Sequence, residues 1–492
     1  MPAALSSPLA LSLSALAAAA HLASASPLRP GFAAAAAAPL EARSPAPAPA
    51  PASQPLSVPL TRRGATLEKR RDADWFLRKA QGMRSKYGAK VPGGASAPSA
   101  AQQQQKRQTD LAMTSYQDSE WYGEIDVGTP ATAFSVVLDT GSADLILAET
   151  NCNGCSSSTP GYQPSTSSTS STSSQDFSIQ YGSGSATGTL VQDRISIGNY
   201  TQPEQVFAAC DTLENIVDGT ISGILGLGWE ALASSGEMPL VESLWRDGTL
   251  PEGVFGFAFE THTFTTTSSP TAPGGTLTIG GVDTSAYSGE LNWVNIVQPA
   301  AYWAIPLQDV HVGGQSLGVT DPAVVIDTGT TLIGGPQSFA EAVYAQIPNA
   351  QAITLQGESG YYAYPCDQSV DVSLTFGGVE YSIDSDQFNA GAVNARGSLC
   401  LGAVFALETS SQSTVNIIVG DAFLTGVYSA YRFTDPPAVG FATRGSGGDA
   451  NTGSSDSSTG GGTSAATSLA PSGGKTAGAV ALAASVAALV FA

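Results

Sequence analysis

The chain reads as a mostly β protein whose folded region is large enough for one big core or two lobes. Three observations predict this. Residues 108–444 are rich in Gly, Thr, Val and Ile, set in short apolar runs between turn-forming residues, the pattern of strands joined by tight connections. An apolar run ending in Asp-Thr-Gly occurs twice, 188 positions apart. Both ends of the 492-residue chain have compositions that do not fold alone: Ala, Pro and Ser dominate 26–66, and Gly, Ser and Thr dominate 445–476. Such segments offer too little apolar surface to offset chain entropy.

The segments outside 108–444 read as addresses and controls. Residues 8–20 are apolar, and Ala23-Ser24-Ala25 follows them, so 1–25 is expected to be a signal peptide, although no positive side chain precedes the apolar run. A leader, 26–107, holds 14 of the 20 Lys and Arg against 4 acidic residues. Within it, 67–90 mixes basic and apolar residues at helical spacing and contains Lys86-Tyr87. Lys106-Arg107 is a dibasic pair, a candidate processing site that would make Gln108 the mature terminus. At the other end, the linker 445–476 carries the small residues Ser464, Ala465 and Ala466, and 477–492 is apolar apart from Ser485. At about 1.5 Å per residue that tail is short for a hydrocarbon core of roughly 30 Å. The arrangement suits a GPI-attachment signal whose tail is removed, with an ordinary tail anchor as the competing reading.

Charge and cysteine narrow the function further. Residues 108–444 carry 35 Asp or Glu against 5 Arg, so nucleic acid is excluded as a partner, because phosphate binding needs a basic face. An acidic surface repels itself less as its carboxylates protonate. Work at low pH is one inference from this, and simple solubility is the other. Cys152-x-x-Cys155 has no second close pair to complete a metal site, and the chain has only three His. No metal is therefore expected, and disulfides fit an oxidising route better. The pairs expected are Cys152 with Cys155 and Cys366 with Cys400, leaving Cys210 unpaired. Asn199-Tyr200-Thr201 is the one complete glycosylation sequon.

The repeat carries the chemistry. Val136-Val137-Leu138-Asp139-Thr140-Gly141-Ser142 recurs as Val324-Val325-Ile326-Asp327-Thr328-Gly329-Thr330. In each copy a buried strand delivers one carboxylate into a tight turn, where Gly permits close backbone approach and hydroxyls supply hydrogen bonds. One Asp-Thr-Gly is weak evidence, but two with matching flanks are strong. An apolar-apolar-Gly segment follows each, at Ile224-Leu225-Gly226 and Ile418-Val419-Gly420.

At these residues the chain resembles the pepsin-like aspartic endopeptidases of the fungal secreted or GPI-anchored type, over nearly all of 116–443. The segment 177–185 resembles the flap of that family, Ile224 to Gly228 the strand behind the first aspartate, and Tyr302-Trp303, 327–336 and Val419-Gly420-Asp421 its second half. The resemblance implies a bilobal acid-protease fold of two β-rich lobes, 108–295 and 296–444, with a cleft between them and a crossing near 283–303. It implies a zymogen-derived monomer that hydrolyses peptide bonds in protein substrates without a cofactor. Asp139 and Asp327 would share one proton, as pepsin's own carboxylate pair does, and activate water for direct attack.

Supporting roles follow from the same resemblance. Ser142 and Thr330 would bond the outer carboxylate oxygens, Thr140 and Thr328 would lock the loops together, and Gly141 and Gly329 would turn amides toward the carboxylates. Tyr181, Gly182 and Ser183 would contact substrate from the flap, and Lys86 of the leader would occupy the cleft beside the aspartates. One residue departs from the pattern: Ile146 stands where the family often has a Trp that bonds the flap tyrosine. Two other classes compete, a catalytically silent binding protein of the same fold and a cell-surface structural protein suggested by the Ser/Thr-rich stretch 156–174. Intact Asp-Thr-Gly in both copies argues against each. The scarcity of His and the lack of His-Glu-x-x-His disfavour serine and metal hydrolysis.

Overall fold

Alternation of buried and exposed side chains runs through Trp121–Val127, and Thr132–Asp139 becomes wholly buried over its last residues as it approaches Asp139. Such strands need partners on both sides. The computed structural model describes residues 56–63, 73–87, 121–180, 184–214, 216, 217, 219, 221–260, 271–393, 398–407, 409 and 415–445. Their architecture is the mostly β, bilobal one expected from the sequence. A 13-stranded sheet takes in every strand between Trp121 and Asn295. Strands from 304 to 419 form three further sheets, one of five strands and two of four.

The chain's last two strands return to the large sheet. Val427–Arg432 pairs antiparallel with Val254–Phe259, and Ala438–Arg444 with Tyr287–Asn295. The two expected lobes therefore share backbone hydrogen bonds. The stretch 283–303, expected as turn-rich, contains the nine-residue strand Tyr287–Asn295, because this closing pair gives it a partner.

The expectation that 26–66 would not fold fails over eight residues. Leu56–Arg63 is a strand inside the large sheet, antiparallel to Thr271–Ile279 along its full length and to Trp121–Val127 at Thr61 and Arg62. Composition misses it because a strand draws its stability from its neighbours' edges rather than from its own apolar surface. The leader's basic segment forms the helix Ala73–Lys86, with Asp74 in its first turn and Arg84 and Lys86 in its last, the charge order that the helix dipole favours. Phe76, Ala80 and Met83 share one face and join Trp75 and Leu77 in the main hydrophobic core. Fully burying a large apolar side chain of this kind stabilises by about 1.5–3 kcal/mol.

Cys152 bonds Cys155, with Cα atoms 5.6 Å apart, and Cys366 bonds Cys400, with Cα atoms 5.0 Å apart. Both pairs are those expected, and Cys210 is free and buried. Asn199 lies exposed in the turn between Ser185–Ile197 and Tyr200–Glu214. Among the described residues no helix is long and apolar enough to cross a membrane. The expected signal peptide, the Lys106-Arg107 site, the linker and the apolar tail lie outside the described residues.

Cys366 and Cys400 close a loop of 34 positions, so replacing both by Ser removes a constraint on the unfolded chain. The expected loss is about 2–4 kcal/mol, read as a lower denaturant midpoint in tryptophan fluorescence.

Candidate active site

Each Asp-Thr-Gly sits at the end of a buried strand, and the two are built alike. Thr132–Asp139 runs parallel to Gly223–Gly226, pairing Asp139 with Gly226, and Asp321–Ile326 runs parallel to Ile417–Val419, pairing Ile326 with Val419. The segments that the sequence marked as apolar-apolar-Gly are thus the strands that brace the two aspartates. Beyond each pairing the backbone continues the clamp: Leu227 N donates to Asp139 O at 2.8 Å, and Asp327 N donates to Val419 O at 3.0 Å.

The two loops then lock into each other. Thr140 N donates to Thr328 Oγ1 at 3.1 Å, and Thr328 N donates to Thr140 Oγ1 at 3.0 Å. Each hydroxyl in turn donates across the pair, Thr140 to Ile326 O at 2.9 Å and Thr328 to Leu138 O at 2.7 Å. All four bonds are buried, where an unpaired donor or acceptor costs about 1–3 kcal/mol. The spacing between the two strand ends is therefore rigid.

That lock brings two carboxylates face to face. Asp139 is 3 % exposed and Asp327 fully buried. Gly141 N donates to Asp139 Oδ1 at 2.8 Å and Gly329 N to Asp327 Oδ1 at 2.9 Å. Ser142 Oγ donates to Asp139 Oδ2 at 2.6 Å, and Thr330 Oγ1 donates to Asp327 Oδ2. The glycines are needed for space as well. A Cβ on Gly141 would stand 2.5 Å from Asp327 Cγ, and one on Gly329 would stand 2.5 Å from Asp139 Cγ.

A cation from the leader closes the pair. Lys86 Nζ donates to Asp139 Oδ1 at 2.8 Å and to Asp327 Oδ1 and Oδ2 at 3.1 and 2.9 Å. The Tyr87 hydroxyl donates to Asp327 Oδ2 at 2.8 Å. Burial pushes Asp139 above the usual carboxylate range, with the neighbouring Asp327 adding to the rise and Lys86 opposing it. Burial acts the same way on Asp327, but Lys86 and the Thr330 hydroxyl outweigh it and hold that group low. For Lys86 burial favours the neutral amine, and the two carboxylates overcome it, leaving the ammonium more firmly protonated than usual.

The residues expected at the site fall into two sets. Asp139, Thr140, Gly141, Ser142, Asp327, Thr328, Gly329, Thr330 and Lys86 converge in one cluster. Tyr181, Gly182 and Ser183 lie outside the described residues. The base of their hairpin is described, with Gln180 paired to Ser185. Sequence reasoning assigned no role to Tyr87 or Arg84, though both flank Lys86 in the leader. It also missed that Trp303 Nε1 donates to Leu227 O at 2.9 Å, tying the strand before the second repeat to the brace of the first.

Thr328→Ala deletes one donor and one acceptor from the lock and should lower stability by about 2–4 kcal/mol. Thr328→Ser keeps the hydroxyl and should stay within about 1 kcal/mol of the parent. Denaturant unfolding of the two variants separates these outcomes.

The family model described as eukaryotic aspartyl protease matches residues 120–444. The chain is 36 % identical over 427 residues to major aspartyl peptidase 1 of Cryptococcus neoformans var. grubii, covering 82 % of this chain and 87 % of that one. It is 33 % identical over 399 residues to an aspartic protease of Phaffia rhodozyma, covering 79 % and 91 %. With the vacuolar aspartic protease of Candida albicans it shares 32 % over 339 residues, covering 68 % and 77 %. The match spans both Asp-Thr-Gly loops and the strands that brace them, and the chain belongs to the eukaryotic aspartyl proteases, as an aspartic-type endopeptidase.

Proposed function

We propose that the protein is made as an inactive precursor and, once its leader is released, hydrolyses peptide bonds at acidic pH with Asp139 and Asp327 as its catalytic pair. The observation that carries this reading is the shared cation: one ammonium reaches both carboxylates at 2.8 and 2.9 Å. Groups that close cannot both ionise cheaply without such a partner. With Lys86 withdrawn, one proton takes its place in the charge balance. The ionised carboxylate then accepts a proton from a water bridging the pair, and that water attacks the scissile carbonyl carbon. The protonated partner hydrogen-bonds the carbonyl oxygen as negative charge develops there. Ser142, Thr330 and the amides of Gly141 and Gly329 keep both carboxylates oriented through the step. The pair titrates as a unit, so the proton belongs to neither residue alone.

The leader fits the role of an internal inhibitor. Its strand, its helix and Lys86 occupy the sheet, the core and the dyad of the peptidase region. Cleavage after Lys106-Arg107 would separate it from the mature enzyme. Two disulfides support an oxidising, secretory route, and glycosylation at the exposed Asn199 and GPI attachment near Ser464 would accompany it. Peptides and proteins are the substrates, and the mature enzyme acts as a monomer.

Asp139→Asn and Asp327→Asn, each tested in fully processed protein, should lower cleavage of denatured haemoglobin at about pH 4 by roughly a thousandfold or more. Undiminished, pepstatin-insensitive cleavage in either variant would end this reading.

The hold of Lys86 on the two aspartates should also respond to pH with a definite sign. Lys86 and the Thr330 hydroxyl outweigh burial and hold Asp327 low in the closed form. The ammonium leaves with the leader and the hydroxyl stays, so the part due to Lys86 is lost on release. Lys86 pulls Asp139 down as well, so the grip is full while the released pair would be wholly ionised and weakens as pH falls through the range in which that pair takes up its shared proton. Lys86 itself stays charged throughout, because its own value is raised. Lys86→Met removes this dependence. Its leader should be released at about pH 6 at least tenfold faster than that of the parent, as followed by gel electrophoresis over time.

A further inference from the structure

Two positions before Lys86, the leader helix Ala73–Lys86 buries a second cation. Arg84 is 3 % exposed, and its guanidinium is held at its edges and on its face. Nη1 donates to Glu358 Oε2 at 3.0 Å and to the Tyr361 hydroxyl, and Nη2 donates to Ala406 O at 3.0 Å and to Ser359 O at 3.4 Å. The Tyr361 and Phe405 rings lie 4.7 and 5.2 Å from Arg84 Cζ, measured to their centres. Gly360, at φ +93°, lies beside the guanidinium: a Cβ there would be in ordinary contact with Arg84 Nη2 at 3.4 Å and tight against Ala406 Cβ at 3.0 Å.

All of these partners belong to the peptidase region. Glu358 and Tyr361 lie on the strand Glu358–Pro365, and Phe405 and Ala406 on Val404–Ala406. Val404–Ala406 pairs in parallel with Ile333–Gly335, the strand that follows the Asp327 loop. The pocket is thus two strands from that loop and is built on sheet backbone, although the leader's Gln81 also donates to Glu358 Oε1 at 2.8 Å and its Phe76 packs on the Tyr361 and Phe405 rings. The Tyr361 hydroxyl donates to Glu358 Oε2 at 2.8 Å, which steadies the carboxylate from within the peptidase region.

We propose that the pocket formed by Glu358, Tyr361, Phe405 and the Ala406 carbonyl, vacated when the leader departs, is a substrate subsite for an arginine side chain. This rests on the dyad reading above and adds to it a specificity that the repeat and its loops do not carry. Arg84 and Lys86 lie within one turn of the helix, so the pocket adjoins the dyad and a substrate chain crossing the dyad is placed to reach it. Carboxylate, phenol and carbonyl acceptors arranged around a plane, with aromatic faces above it, match the fixed fork of a guanidinium better than the point charge of an ammonium. Displacing arginine leaves Glu358 with the Tyr361 hydroxyl as its donor within the peptidase region and removes the donor to the Ala406 carbonyl, which favours refilling by a cation with several donors.

The test uses enzyme processed from the full-length precursor and a set of peptides carrying Arg, Lys or Ala at each position around one cleavage site. At one position kcat/KM for Arg should exceed that for Ala by roughly tenfold or more, with Lys in between. Glu358→Gln should shrink that ratio to less than about threefold, and Tyr361→Phe, which keeps the ring, should reduce it in part. A ratio near one at every position, or a ratio unmoved by both substitutions, overturns the subsite. Ala-peptide cleavage that disappears in Asp139→Asn while no Arg preference is found sinks the subsite alone. Cleavage that survives Asp139→Asn sinks the dyad reading and the subsite with it.

Discussion

Two carboxyl groups buried side by side dictate the structure around them. Taking one carboxylate out of water is costly, and placing a second beside it adds repulsion that a low-dielectric interior does little to screen. The protein meets both demands locally. Each Oδ1 accepts a backbone amide and each Oδ2 accepts a hydroxyl, while the two glycines give up side chains so that the loops can approach. The reciprocal threonine bonds then hold that approach fixed. Because each loop is braced by a parallel strand from its own half, neither carboxylate can drift without breaking a sheet.

The leader meets the same electrostatic demand from outside. Its hold on the peptidase region has two physically different parts. The strand pairing of Leu56–Arg63 and the buried Trp75, Phe76 and Met83 depend on backbone hydrogen bonds and apolar area, which change little with pH. The bonds of Lys86 to the aspartates depend on charged carboxylates. Acid therefore weakens one part and leaves the other.

Ile146 shows how a departure from the family pattern is absorbed. It is fully buried, paired with Ile224 on one side and Ala208 on the other, and packs in a small cluster with Tyr122, Phe177 and Ile224. A β-branched side chain suits a strand covered on both faces. The cluster includes Phe177 of the strand Ser171–Gln180, and the bonds that hold Asp139 and Asp327 are intact.

The sequence by itself determined the β class, the two Asp-Thr-Gly loops, the strands that brace them and the disulfide pairs. Each of these is written in contiguous residues or in chemistry that tolerates few partners. The helical leader was legible too, from the spacing of its basic and apolar residues. Only the tertiary structure decided that Leu56–Arg63 is a strand, because its stability comes from edges more than fifty residues away. It alone joined 427–444 to 254–295 across the expected lobe boundary, and it alone placed Tyr87 and Arg84 against partners some 240 and 274 positions distant. Local patterns record what a residue prefers for itself. Which donor meets which acceptor across such separations depends on the closed geometry of the whole chain.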